Sequence, residues 1–114
     1  MDDINDHFII CGYGRVGQRV AHELRQATEP YVVLDSKPAA LAAALKRGDL
    51  FVDGRSTSDD DLRAAGLERA RGLIACADSD LENVYTTLSA RALRPELQIV
   101  ARASSEEASN KLLL

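Results

Sequence analysis

A chain of 114 residues, 46% hydrophobic and 28% charged, has the make-up of one globular domain. Folding at this length removes roughly two-thirds of the unfolded surface from water, so a real core is expected. The net charge is −4 with bases scattered among acids, which argues against the basic stripe of a nucleic-acid binder. No apolar run approaches the roughly 18–20 residues that span a bilayer, and no signal peptide is read ahead of His7, so a soluble, cytoplasmic chain is expected. Two cysteines, Cys11 and Cys76, supply neither a disulfide framework nor a zinc site. They read as small buried hydrophobes at the ends of neighbouring strands, close enough for a redox pair to be conceivable.

In chain order, "HFIIC" (7–11) is a buried strand, and "VGQRVAHEL" (16–24) is a helix with Val16, Val20 and Leu24 spaced by four. "YVVLD" (31–35) is a second strand, rich in β-branched residues. Ser36 is placed to cap the next helix, which carries Leu41 and Leu45 and stops near Gly48. "LFVDG" (50–54) is a third strand, followed by the short acid-nosed helix "SDDDLRAAG" (58–66). "GLIAC" (72–76) is the fourth strand. Ser79 and Glu82 then form a capping box ahead of Leu81, Val84, Tyr85 and Leu88 on one helical face. "QIVAR" (98–102) is the fifth strand, and Ser104 with Glu107 repeats the capping signal before a terminal "KLLL". Strands of continuous apolar residues alternating with helices imply a parallel sheet covered on both faces. The expected fold is a Rossmann-like, doubly wound α/β sheet of order 3-2-1-4-5 with helices on both faces, cut before a sixth strand.

The stretch "CGYGRVG" carries the chemistry. Gly12, Gly14 and Gly17 follow a strand and open a helix at G-x-G-x-x-G spacing. Gly12 permits the tight turn, Gly14 lets backbone approach a phosphate, and Gly17 lets the helix close on the sheet. The helix N-terminus offers free N–H groups to an anion. Asp35, ending the second strand, suits ribose hydroxyls and disfavours a 2′-phosphate, while the neighbouring Ser36 and Lys37 blur that preference slightly. Arg15, Arg55 and Arg102 all fall at C-terminal strand ends, where such sheets bind ligands, and their convergence favours a phosphorylated one. His7 and His22 lie away from that edge, and Tyr85 has Ser89 rather than a lysine four residues on, so no catalytic site assembles. No metal cluster stands out. Binding without turnover is the expectation.

These residues resemble the RCK (regulator of potassium conductance) family, also called TrkA-N or KTN domains. The likeness runs from about His7 to the last residue, through "HFIICGYGRVG", "VVLD", "LRAAGLERARGLIA" and "DSDLENVYTTLSARALRPELQIVARA". The resemblance implies a cytosolic domain of a potassium channel, or a subunit of a Trk or Ktr transporter, at the inner face of the membrane. It implies NAD(H) or ADP/ATP as ligand, and assembly into dimers and octameric rings whose shape gates the pore.

By position, Gly12, Tyr13, Gly14, Arg15, Val16 and Gly17 would cradle the phosphates, with Arg15 on the distal ones and Asp35 on ribose. Ala77 and Asp78 would flank the second half of the ligand, and Arg102 would meet phosphate or the nearby ribose. Gly54-Arg55 departs from the family's Gly-Asp, and arginine cannot accept a hydrogen bond from an adenine amino group. The carboxylates that bind calcium in some relatives are replaced here by Arg102 and Ser104. Two other readings stay open: the NAD-binding half of an oxidoreductase, and a ligand-free assembly module of the same fold.

Overall fold

A computed structural model describes residues 4–103. Its elements are β1 (Phe8–Cys11), α1 (Arg15–Gln26), β2 (Tyr31–Asp35), α2 (Pro38–Arg47), β3 (Phe51–Asp53), α3 (Asp59–Ala64), a 3₁₀ turn (Leu67–Arg69), β4 (Gly72–Ala75), α4 (Asp80–Leu93) and β5 (Gln98–Ala101). The five strands form one sheet of order β3-β2-β1-β4-β5, every pairing parallel. This is the expected doubly wound arrangement. The chain winds outward from β1 first through β2 and β3, then through β4 and β5, so the crevice opens where β1 and β4 end. The second capping box and the terminal leucines lie outside the described residues.

Successive strand residues face opposite sides of the sheet, and both sides are apolar. Ile9, Cys11, Val32, Leu34, Leu73 and Ala75 pack with Leu62, Ala65 and Ala90 on the side of α3 and α4. Ile10, Val33 and Cys76 pack with Tyr13, Ala21, Ala40 and Ala44 on the side of α1 and α2. Cys11 and Cys76 are therefore buried in separate layers. Both are free thiols, on opposite faces of the sheet.

The helix caps follow local chemistry with one correction. Ser58 accepts the Asp61 N–H at 3.3 Å, and Ser79 accepts the Glu82 N–H at 3.2 Å. Ser36 does not cap α2. The cap position is Lys37, Pro38 fills the first turn without an N–H to satisfy, and Asp35 accepts the Lys37 N–H at 2.9 Å instead. Gly48, at φ 74°, ends α2 in the left-handed conformation that glycine tolerates.

Two helices turn differently from their leucine patterns. α2 buries Ala40 and Ala44, leaving Leu45 70% exposed. α4 buries Asn83, Thr86, Thr87 and Ala90, while Leu81, Tyr85 and Leu88 are more than half exposed. The expected inward stripe of α4 is two positions out of register with the buried one, which at about 100° per residue places it on the opposite side of the helix. The inward face is polar because its groups are hydrogen-bonded: Thr86 to Ser56 at 2.8 Å, Thr87 to the Asn83 carbonyl at 2.8 Å.

At the opposite edge from the crevice, His7 is fully buried, and its Nε2 donates to the Ala65 carbonyl at 2.8 Å. Its Nδ1 has no partner among the described residues. Burial holds the imidazole below its ordinary pKa of 6.5, outweighing the backbone bond to Ala65 that opposes the shift. A base depressed in the folded state is protonated more readily in the unfolded chain, so stability falls as pH drops below 6.5. Thermal melting across that range should show this slope in the unaltered chain and a shallower one in His7→Gln, whose amide keeps a donor for Ala65 but does not titrate.

Candidate functional site at the glycine loop

The crevice is an open cleft of about 290 Å³, near the lower end of the size range for small-molecule sites. Its first wall is the turn from β1 into α1. Gly12 sits at φ +104°, and a Cβ there would lie 2.8 Å from the Ala77 backbone. A Cβ on Gly17 would collide with the Gly12 carbonyl and come within 3.5 Å of Cys76 Sγ. Only glycine lets the first turn of α1 settle this closely on the end of β1. Gly14 occupies the cap position of α1 and provides no side-chain cap. The free N–H groups of the first turn, with the positive end of the helix dipole, are therefore left for an anion.

The second wall is built on Asp35. Its Oδ2 accepts the Tyr13 N–H at 2.7 Å and its Oδ1 the Lys37 N–H at 2.9 Å. One carboxylate thus joins the glycine loop to the start of α2 and keeps lone pairs for a hydroxyl-bearing ligand. Tyr13 is itself fully buried, and its hydroxyl donates to Asp49. Asp49 also accepts from Tyr31 and, at 2.6 Å, from Arg25. Burial works against the Asp49 charge, but these three donors outweigh it and hold its carboxyl below the usual range. Its contribution to stability is present at neutral pH and lost as pH falls through that depressed value. Burial and the bond to Asp49 push Tyr31 up to about 12.

The third wall follows β4. Cys76 donates its thiol to the Gly12 carbonyl at 3.3 Å, and burial pushes its pKa up to about 12, so it stays a thiol. Asn83, 1% exposed, accepts the Ala77 N–H at 2.9 Å and donates to the carbonyls of Ala77 at 3.0 Å and Arg102 at 3.2 Å. Arg102 contacts the Asp78 carboxylate at 3.3 Å and the Ala77 carbonyl at 3.4 Å.

Of the residues singled out in the sequence, Gly12, Tyr13, Gly14, Asp35, Ser36 and Lys37 line the cleft on one side. Gly54, Arg55, Ala77 and Asp78 line it on the other. Arg15, Val16, Gly17 and Arg102 are not in the lining. Val16 packs into the core beside α1 and α2, and Gly17 acts through the close approach just described. The three arginines all follow C-terminal strand ends, as expected, but they stand differently toward the cleft: Arg55 lines it, Arg102 is paired with the lining residue Asp78, and Arg15 is exposed at the start of α1. The Arg55 backbone N–H is held by Asp61 at 2.8 Å, which gives the third acid of α3 a structural task. Gln18, Ser56 and Glu82 also line the cleft, and no motif in the sequence marks them for it. Gln18 lies one residue past the glycine motif, and the pattern around Glu82 signals a capping partner alone. Ser56 had no signal of its own.

These features define a Rossmann-like α/β domain with a glycine-loop cleft at its topological switch point. The chain belongs to the TrkA-N domain family, whose profile matches residues 8–114. It is 43% identical over 112 residues to Potassium channel protein 1 of Methanocaldococcus jannaschii, a match covering 96% of this chain and 34% of that protein. The chain thus spans about a third of that relative's length. Among solved structures it resembles the TrkA-N domain of the inner membrane protein ybaL from Escherichia coli, with TM-score 0.90, 30% identity, and 97% and 82% of the two chains covered. It also resembles GsuK bound to ADP, with TM-score 0.82, 33% identity, and coverage of 96% of this chain and 28% of that one. The resemblance read from the sequence is thereby confirmed. No helix among the described residues is long and apolar enough to cross a membrane.

The glycine geometry makes a differential prediction. Gly17→Ala should lower the free energy of unfolding by about 2–4 kcal/mol through overpacking. Gly14→Ala, whose Cβ would meet only the Asp78 carboxylate at 3.5 Å, should cost less than about 1 kcal/mol. Urea unfolding of the two variants measures the difference.

Proposed function

We propose that this chain is a regulatory domain that binds an adenine nucleotide, NAD(H) or ADP/ATP, and adjusts potassium transport by a channel or transporter at the inner face of the membrane. The observation that carries this reading is the pairing of an uncapped helix N-terminus at Gly14 with the Asp35 carboxylate across one cleft. Phosphates would meet the N–H groups of the loop and first turn, and ribose hydroxyls would meet Asp35. The base would lie between Ala39 and Ala40 on one side and Gly54 and Arg55 on the other. Arg55 fits there as a guanidinium stacked on the ring rather than as an acceptor for its amino group. The ADP complex of GsuK and the channel relative support the reading by likeness.

In this reading the domain binds its nucleotide without turnover. The nucleotide then acts by preferring one conformation of the assembly, and shifts it by no more than its difference in affinity. The exposed stripe of Leu81, Tyr85 and Leu88 is the face assigned to another copy of the domain, since a continuous apolar stripe on a helix is covered in assembly. Leu88→Glu should weaken self-association in sedimentation equilibrium, and the dissociated chain should keep its folded circular dichroism, because in the single chain the side chain is 55% exposed.

Calorimetric titration with NAD, NADH, ADP, ATP and NADP tests the ligand. At least one adenine nucleotide should bind, with NADP the weakest dinucleotide because Asp35 faces its 2′-phosphate. Asp35→Ala should weaken binding by about tenfold or more, the scale of hydrogen bonds to a charged group. Silence across the panel, or equal affinity in the variant, would overturn the assignment.

A further inference from the structure

α4 lines the cleft through Glu82, anchors the cleft wall through its buried Asn83 and Thr86, and exposes Leu81, Tyr85 and Leu88 on the side away from that anchorage. Asn83 binds the backbone of Ala77 through both its carbonyl and its amide, and the Arg102 carbonyl through the same amide. Thr86, one turn on, donates to Ser56 at 2.8 Å in a buried contact. Segments following β3, β4 and β5 are thus fastened to one side of one helix. Two of them, through Ser56 and Ala77–Asp78, form the cleft wall. The third holds Arg102, whose guanidinium lies against Asp78. The opposite wall has its own anchorage: Tyr13 and Asp35 connect to α1 and α2 through Arg25, Asp49 and Lys37, and none of these bonds reaches α4.

We infer that Asn83 and Thr86 are positioning residues that make α4 the member through which occupancy of the cleft is felt at Leu81, Tyr85 and Leu88. A ligand that draws Arg102 from Asp78, or moves the Ala77–Asp78 backbone, acts on bonds that are buried and directional. Neither residue touches the ligand in this account. The inference rests on the nucleotide reading of the cleft, and it adds the route by which that site reports outward.

The test is a nitrogen-15 amide titration of the chain with ADP and, separately, NAD. Gly14 and Asp78 report occupancy, Tyr85 and Leu88 report the outward side of α4, and the exposed Leu45 of α2 is the control. In the unaltered chain Tyr85 and Leu88 should shift along the same saturation curve as Gly14, with Leu45 still. In Asn83→Ala, Gly14 and Asp78 should still titrate, with Kd within about tenfold, the usual range of a coupling term. The Tyr85 and Leu88 shifts should be lost. Thr86→Val, which keeps the side-chain volume and loses only the bond to Ser56, should diminish them. A purely structural Asn83 would lower the melting temperature and leave those shifts intact. Silent Tyr85 and Leu88 while Gly14 titrates, or shifts unchanged in both variants, overturns the inference. Silence at Gly14 and Asp78 with both nucleotides removes the nucleotide reading itself.

Discussion

The first turn of α1 rests on the end of β1 with no room for a side chain at Gly17, and the remaining geometry of the site follows from that contact. Because the backbones meet, the helix axis aims its uncapped N-terminus across the ends of β1 and β4. Gly12, bent to a positive φ against Ala77, turns the chain so that Tyr13 drops into the layer beneath α1 and α2. The same bend brings the Tyr13 N–H to Asp35. A loop that holds phosphate-type donors and an acid that suits ribose are therefore two consequences of one steric constraint.

The sheet layers are apolar, yet the loops above them are held by buried polar groups. Asp49 gathers Tyr13, Tyr31 and Arg25, and Asn83 gathers Ala77 and Arg102. Removing one member of such a set leaves the others without partners in a poor solvent, which costs more than the net worth of the bond. Apolar packing fixes the sheet. Directional bonds fix where its loops stand, and so the shape of the cleft.

The fold was legible because each strand is a short apolar run and the turns between are marked by glycine, proline or a capping serine. The glycine motif and Asp35 were legible because spacing alone sets their place at the sheet edge. The orientation of α4 was not. Leucine periodicity assumes that the apolar side is inward, but Asn83, Thr86 and Thr87 find partners inside, and the leucines are turned to water. Asp49 and Asn83 carry no local pattern, since their partners lie far along the chain. Ser36 misled for a neighbouring reason: Asp35 had already taken the amide that begins the turn. The two cysteines end adjacent strands, but a one-residue offset across a pleated sheet sends them to opposite layers.

A binding cleft and an outward apolar stripe joined by one helix suit a domain whose output is a change in its contacts with neighbours. The proposed role as a regulator of potassium transport is tested most directly by potassium flux into vesicles carrying the complete transport assembly, measured with and without saturating ADP or NAD. The account predicts a flux that changes with nucleotide and that loses this response in Asp35→Ala. A flux indifferent to a nucleotide that demonstrably binds the domain would contradict it.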